Sequence, residues 1–310
     1  MNTPSNPMPD TPVDDRITTP GPATRPLYWS VRRELWENRS IYIAPLIATT
    51  LVPLGLLLSR FCPVPGTGTT SAGNPAKQGT ALTIPYSYAA WLLILTAFIV
   101  GVFYCLDALH GERRDRSILF WKSLPVSDLT TVLSKVSIPL AVLPALTYVL
   151  ILATQLVMLL TSRFVLPADD LSGARLWAHL PMSHLSLALF YALAIIALWH
   201  APVYGWLLLI SGWARRAAFL WAVLPPIAIM VVEKIAFNSS RFAFLLQYRL
   251  FGGLTQAFAV TPRSGTTVDP LVEQLTPGRF FATPGLWLGL GAAGLFLFAA
   301  ARLRRQGRTI

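Results

Sequence analysis

The sequence predicts an all-α, polytopic membrane protein with six transmembrane helices. Three observations carry that expectation. The composition is 54% hydrophobic and only 13% charged, with a mean hydropathy of +0.55, too apolar for an ordinary soluble domain. The apolar residues fall in six runs, at about 41–59, 85–107, 136–161, 185–210, 217–235 and 285–301, close to the roughly 20 residues that cross a hydrocarbon core. The third is where the charges lie. Taking the apolar heart of the fifth run as 217–232, only Asp107 of the 39 formally charged residues falls inside a run, at its very end. Continuous runs of this kind also exclude a β-barrel, whose short strands alternate.

The net charge of +11 reads as topology. With the N-terminus inside, the four inner segments carry 16 Lys and Arg in 83 residues, and the outer segments 9 in 100. This is the bias of the positive-inside rule, and it predicts that both termini are cytoplasmic and the protein sits in the plasma (inner) membrane. The basic surplus fits contact with an anionic lipid bilayer and not nucleic acid.

In chain order, residues 1–26 hold seven prolines and no apolar run, a disordered cytoplasmic tail without a signal-peptide layout. The six-helix transmembrane body then occupies 27–310. Over 27–40 the spacing becomes helical, with Leu27, Tyr28, Val31, Leu35 and Trp36 on one broad face and Ser30, Arg33, Glu34 and Glu37 on the other. Arg32 and Arg39 intrude on the apolar arc and have to snorkel. An amphipathic helix along the inner membrane surface fits, the alternative being a plain extension of the first span. The segment 60–84, rich in Gly, Pro, Thr and Ser, reads as a loop. Tyr86, Tyr88 and Trp91 mark the outer interface of the second span. Pro139 and Pro144 are expected to bend the third span, and Pro225 and Pro226 the fifth. The SGWARR turn makes spans four and five an antiparallel pair. The outer segment 233–284 is the longest, with Glu233 and Lys234 at its near end. Its 241–251 portion has Phe242, Leu245, Leu246 and Arg249 at helical spacing, a short helix that could dip into the outer leaflet. Arg302, Arg304 and Arg305 read as the inner anchor of the last span.

The most informative stretch is the cytoplasmic loop 108–135. It carries Arg113, Arg114, Arg116, Lys122 and Lys135 beside Glu112, Asp115 and Asp128. Between the charges stand four consecutive large apolar residues, Ile118, Leu119, Phe120 and Trp121. Such a knob has to bury itself against headgroups, the protein's own helices, or a partner.

Catalytic signatures are missing from the sequence. There is no phosphate loop and no HExxH motif. His179 and His184 are five apart, a poor spacing for a shared metal. Cys62 and Cys105 fall at opposite membrane faces, which leaves no disulfide between them. Within the spans, His200 and Gln155 are the polar residues that a translocation path would use, although such a histidine also serves as a hydrogen-bonding link between helices.

The order of features resembles the permease subunit of type 2 ABC transporters. The resemblance rests on RELWENRSIYIAPL before span one, on LDALHGERRDRSILFWKSLPVSDLTTVLSK after span two, on SGWARRAAFLWA, and on the long outer segment before span six. It implies a six-span exporter subunit that works as a dimer with a second copy or homologue. It also implies a separate ATP-binding subunit that holds ATP and Mg, with no cofactor or metal on this chain. The loop after span two would be the coupling element. Ile118, Leu119, Phe120 and Trp121 would be its buried anchor, and Glu112, Arg113, Arg114, Asp115 and Lys122 would belong to its charged surround. The alternatives are a non-transporting membrane scaffold and an intramembrane enzyme.

Overall fold

An apolar segment with no water around it has to satisfy its backbone polar groups internally, and a continuous helix does so. The computed structural model describes residues 26–61, 75–114, 127–165, 182–258 and 275–306. Among them the chain is almost entirely helical, with one isolated bridge between Phe258 and Leu275 and no strand. Five helical stretches are long and apolar enough to cross a membrane: Pro85–Arg114, Asp128–Thr161, Leu185–Trp213, Ala218–Phe237 and Pro284–Arg305. The remaining expected span is also helical, but its apolar stretch is shorter, Ser40–Gly55. The expected tail, Cys62, His179, Asp115, Arg116, the knob at 118–121 and Lys122 lie outside the described residues, apart from Pro26 at the tail's end.

Helix α1 (Pro26–Glu37) leads through Asn38 and Arg39 into α2 (Ser40–Phe61). Then follow α3 (Pro75–Ala108) and the short α4 (His110–Arg114). The third span is compound, formed by α5 (Asp128–Ser137), a π-helical turn (Ile138–Val142) and α6 (Leu143–Val165). Ser127 caps α5, its hydroxyl accepting from the Thr130 N–H at 3.1 Å. The π turn answers the proline expectation: Pro139 lies in it, and the Leu143 N–H reaches back to the Ile138 carbonyl.

Helix α7 (Met182–Trp213) is the axis of the bundle. About 67% of its apolar window is buried, against 11% for α8 (Ala218–Phe237) and 22% for the last helix, α11 (Pro284–Arg305). Its most extensive partner is α11. A side chain on Gly205 would stand 3.3 Å from the Ala293 backbone, so the two helices approach through small residues. Trp206 meets Phe296 edge-on beside them.

The tight turn between α7 and α8 places Ala217 in the left-handed region at φ 48°. Trp213 and Trp221 then pack across it at 5.0 Å. Pro225 and Pro226 lie inside α8 without breaking it. The helix expected over 241–251 is longer and runs as α9 (Arg241–Ala257). The Glu233 carboxylate holds its start, accepting from the Arg241 N–H at 2.7 Å and the Phe242 N–H at 2.8 Å. Beyond residues 259–274, the Thr276 N–H donates to the Ala257 carbonyl and α10 (Pro277–Ala282) precedes α11.

Candidate functional site: a buried ion-pair cluster at the root of the charged loop

Four charged residues from four helices meet beside the ends of α4 and α5 that flank residues 115–126. Glu34 comes from α1, Glu112 from α4, Lys135 from α5 and Arg304 from α11, and all four are buried. Each lies three or four residues from an apolar core position, on its own helix for Glu34, Lys135 and Arg304 and at the end of the preceding α3 for Glu112. Glu34 lies three residues from Val31, Glu112 four from Ala108, Lys135 three from Val132 and Arg304 four from Ala300, all core or core-packed positions. Helical spacing therefore carries these charges inward with their apolar neighbours.

The geometry is that of a network and not of isolated pairs. Lys135 Nζ lies 2.8 Å from Glu34 Oε1 and 3.1 Å from Glu112 Oε1. The other Glu112 oxygen contacts Arg304 Nη1, while Arg304 Nε donates to Asp128 at 3.0 Å. Arg33 reaches Glu34 at 2.9 Å and Glu112 at 3.4 Å. The Tyr104 hydroxyl, from α3, donates to Glu34 Oε2 at 2.9 Å. Three carboxylates thus face three cations. Burial opposes ionisation of Glu34 more than any other influence, yet Lys135, Arg33 and the Tyr104 hydroxyl together outweigh it and hold the carboxyl below the usual carboxylate range.

A second set of bonds fixes the break between α3 and α4. The Ser211 hydroxyl accepts from the Leu109 N–H at 3.0 Å and the His110 N–H at 2.9 Å. Arg113 donates to the Ser211 and Ala214 carbonyls at 2.6 and 2.8 Å. A cation thereby sits on the carbonyl end of α7, the favourable end for it. These contacts fasten the loop's entry to the turn between α7 and α8.

Several sequence expectations change here. Glu112 and Arg113, expected in the charged surround of the loop, are engaged inward, and of residues 112–114 only Arg114 is exposed. Glu34, read as part of the polar face of α1, is fully buried, because it shares an arc with Val31 and Leu35. Trp36, read with the apolar face, is 70% exposed. Arg304 was not distinguished from Arg302 and Arg305, yet it alone of the three is buried.

His200 and Gln155 are both buried, on α7 and α6, and no hydrogen bond among the described residues joins them. His200 Nδ1 lies 2.8 Å from the Ile196 carbonyl and Nε2 3.1 Å from the Leu250 carbonyl of α9, the linking role. Gln155 keeps a buried carbonyl oxygen with no partner among the described residues. Beside His200, Trp199 anchors an aromatic cluster with Tyr248 and Phe280 that docks the outer segment on α7. Among the described residues no group of acidic, histidine or cysteine side chains is placed to hold a metal ion.

No protein-family model, curated protein or solved structure matches this chain. Its function has to be read from the site.

Proposed function

We propose that this chain is the membrane-spanning permease subunit of an ATP-driven exporter of the type 2 ABC class. In this reading α2 is the first of six spans, both termini are cytoplasmic in the inner membrane, and α1 lies along the inner surface. The subunit works with a second copy or homologue, and a separate ATP-binding subunit holds ATP and Mg.

The observation that supports the reading best is the position of Glu112. It stands one turn before residues 115–126 and is bonded to three other elements: α1 through Arg33, the third span through Lys135 and the last span through Arg304. A load applied to residues 115–126 by a partner would therefore reach those three helices through short, buried, charge-assisted bonds, which are stronger and more directional than apolar contacts. A loop that merely returned the chain to the membrane would not need this linkage.

The test is the double substitution Phe120→Ala and Trp121→Ala in tagged protein. Central aromatic contacts of an interface typically contribute about 2 kcal/mol or more each. Expected are normal membrane insertion, an unchanged melting temperature of the isolated subunit, and loss of a copurifying ATPase. A double variant that keeps its ATPase at wild-type stoichiometry and still couples hydrolysis to transport removes the coupling role from the loop. The subunit purified alone should not hydrolyse ATP, and activity surviving removal of every partner would refute the assignment.

A further inference from the structure

Helix α1 turns Glu34 inward and its aromatics outward. Glu34, Val31 and Leu35 face the bundle, while Tyr28, Trp29 and Trp36 are 56%, 57% and 70% exposed. In the middle of that outer face stands Arg32, exposed, with its guanidinium 5.3 Å from the Trp29 ring and 5.0 Å from the Trp36 ring. Among the described residues Arg32 has no carboxylate or carbonyl partner; its contacts are the two indoles. The rings hold the cation in place from two sides without neutralising it.

We propose that this face of α1 is a binding site for an anionic phospholipid, with the headgroup phosphate on Arg32 and Trp29 and Trp36 at the level of the headgroup boundary. Three features of the molecule select that occupant. Only Asn38 and Arg39 separate α1 from the apolar helix α2, a distance of about 11 Å or less, so the face lies where an apolar helix enters the membrane. Indole and phenol rings prefer that depth. The unneutralised charge at the centre calls for an anion, and anionic headgroups supply it at high local density. The inference rests on the placement of α1 at the membrane surface in the reading above, but not on the existence of an ATPase partner. Because Arg33 and Glu34 follow directly and sit in the ion-pair cluster, a lipid held at Arg32 steadies the same turn that reaches Glu112.

The experiment uses the full chain in nanodiscs of phosphatidylcholine alone or with one-fifth phosphatidylglycerol, and reads amide hydrogen exchange over 29–37. Both leaflets contain the anionic lipid, so the result does not depend on orientation. A surface arginine near anionic lipid contributes a factor of about five, and wild-type exchange should slow by about that much when phosphatidylglycerol is present. Arg32→Gln should abolish the lipid-charge response, Arg32→Lys should retain part of it, and Arg39→Gln should leave it in place. Trp29→Ala with Trp36→Ala should speed exchange in both lipids while exchange in α7 stays unchanged. The proposal is overturned if wild-type protection ignores phosphatidylglycerol, or if Arg32→Gln responds as wild type does. It is also overturned if inorganic phosphate in phosphatidylcholine discs reproduces the effect, which would mean a free-anion site. Protection that depends on the two tryptophans but not on lipid charge would assign the face to a protein neighbour instead. None of these outcomes involves ATPase copurification, so failure here and failure of the permease reading are separate results.

Discussion

At the scale of single residues, Glu112 is the hub, and its removal leaves Lys135 and Arg304 buried without their shared carboxylate. A buried ion pair contributes little compared with well-packed apolar groups, but deleting one member typically costs about 3–5 kcal/mol. Glu112→Ala should therefore lower the melting temperature far more than the same change at the half-exposed Glu37. Thermal denaturation of the purified variants checks this. Glu34 gives the cluster an acid limit. Its folded-state pKa lies below the ordinary value of 4.5, so the unfolded chain takes up the proton first as pH falls. Its contribution is complete above about pH 4.5 and is lost as pH drops through the folded value. The partly buried Glu37 is shifted upward by its desolvation and works in the opposite sense, but it is more exposed. A melting temperature that declines below pH 4.5 in wild type should decline less steeply in Glu34→Gln, which starts from a lower value at neutral pH.

At the scale of elements, the contact between α7 and α11 is one that side-chain volume controls. At Gly205 an added Cβ would meet the Ala293 backbone at 3.3 Å, whereas at Gly291, on α11 itself, nothing lies within 4 Å. Forcing bulk into a packed contact typically costs about 1–3 kcal/mol. Gly205→Leu should lower thermal stability by that order and Gly291→Leu should leave it near wild type, as measured in the same detergent. Since α11 ends in Arg304, Gly205→Leu should also disturb the ion-pair cluster, raising amide exchange in α5, which packs on α11.

At the scale of the whole molecule, the distribution of basic residues predicts the orientation. Cys62 should react in intact spheroplasts with a membrane-impermeant thiol reagent. Cys105, fully buried, should not react. A cysteine introduced at Ser117 should be protected from outside, and its labelling there would reverse the assigned topology. That orientation would put the ion-pair cluster on the cytoplasmic side.

The positions of the long apolar helices were legible in the sequence because length and hydropathy are local: a run of about 20 apolar residues has few other ways to satisfy its backbone. The outer helix at 241–257 was legible in part, through the spacing of Phe242, Leu245, Leu246 and Arg249. The π turn was signalled only as proline strain at Pro139. The pairing of charges was not legible, since Glu34, Glu112, Lys135 and Arg304 are brought together from helices far apart in the chain. A signal was present in each case, a charge set three or four residues from a core position, but it names no partner. The rotation of α1 likewise depended on tertiary packing. Its sequence offers a wide apolar arc, and the bundle accepted the part that carries Glu34, where Lys135 and Tyr104 wait, leaving Trp29, Arg32 and Trp36 outside. Local hydrophobicity determined which segments are helices; the need to match each buried charge with an opposite one decided how those helices face each other.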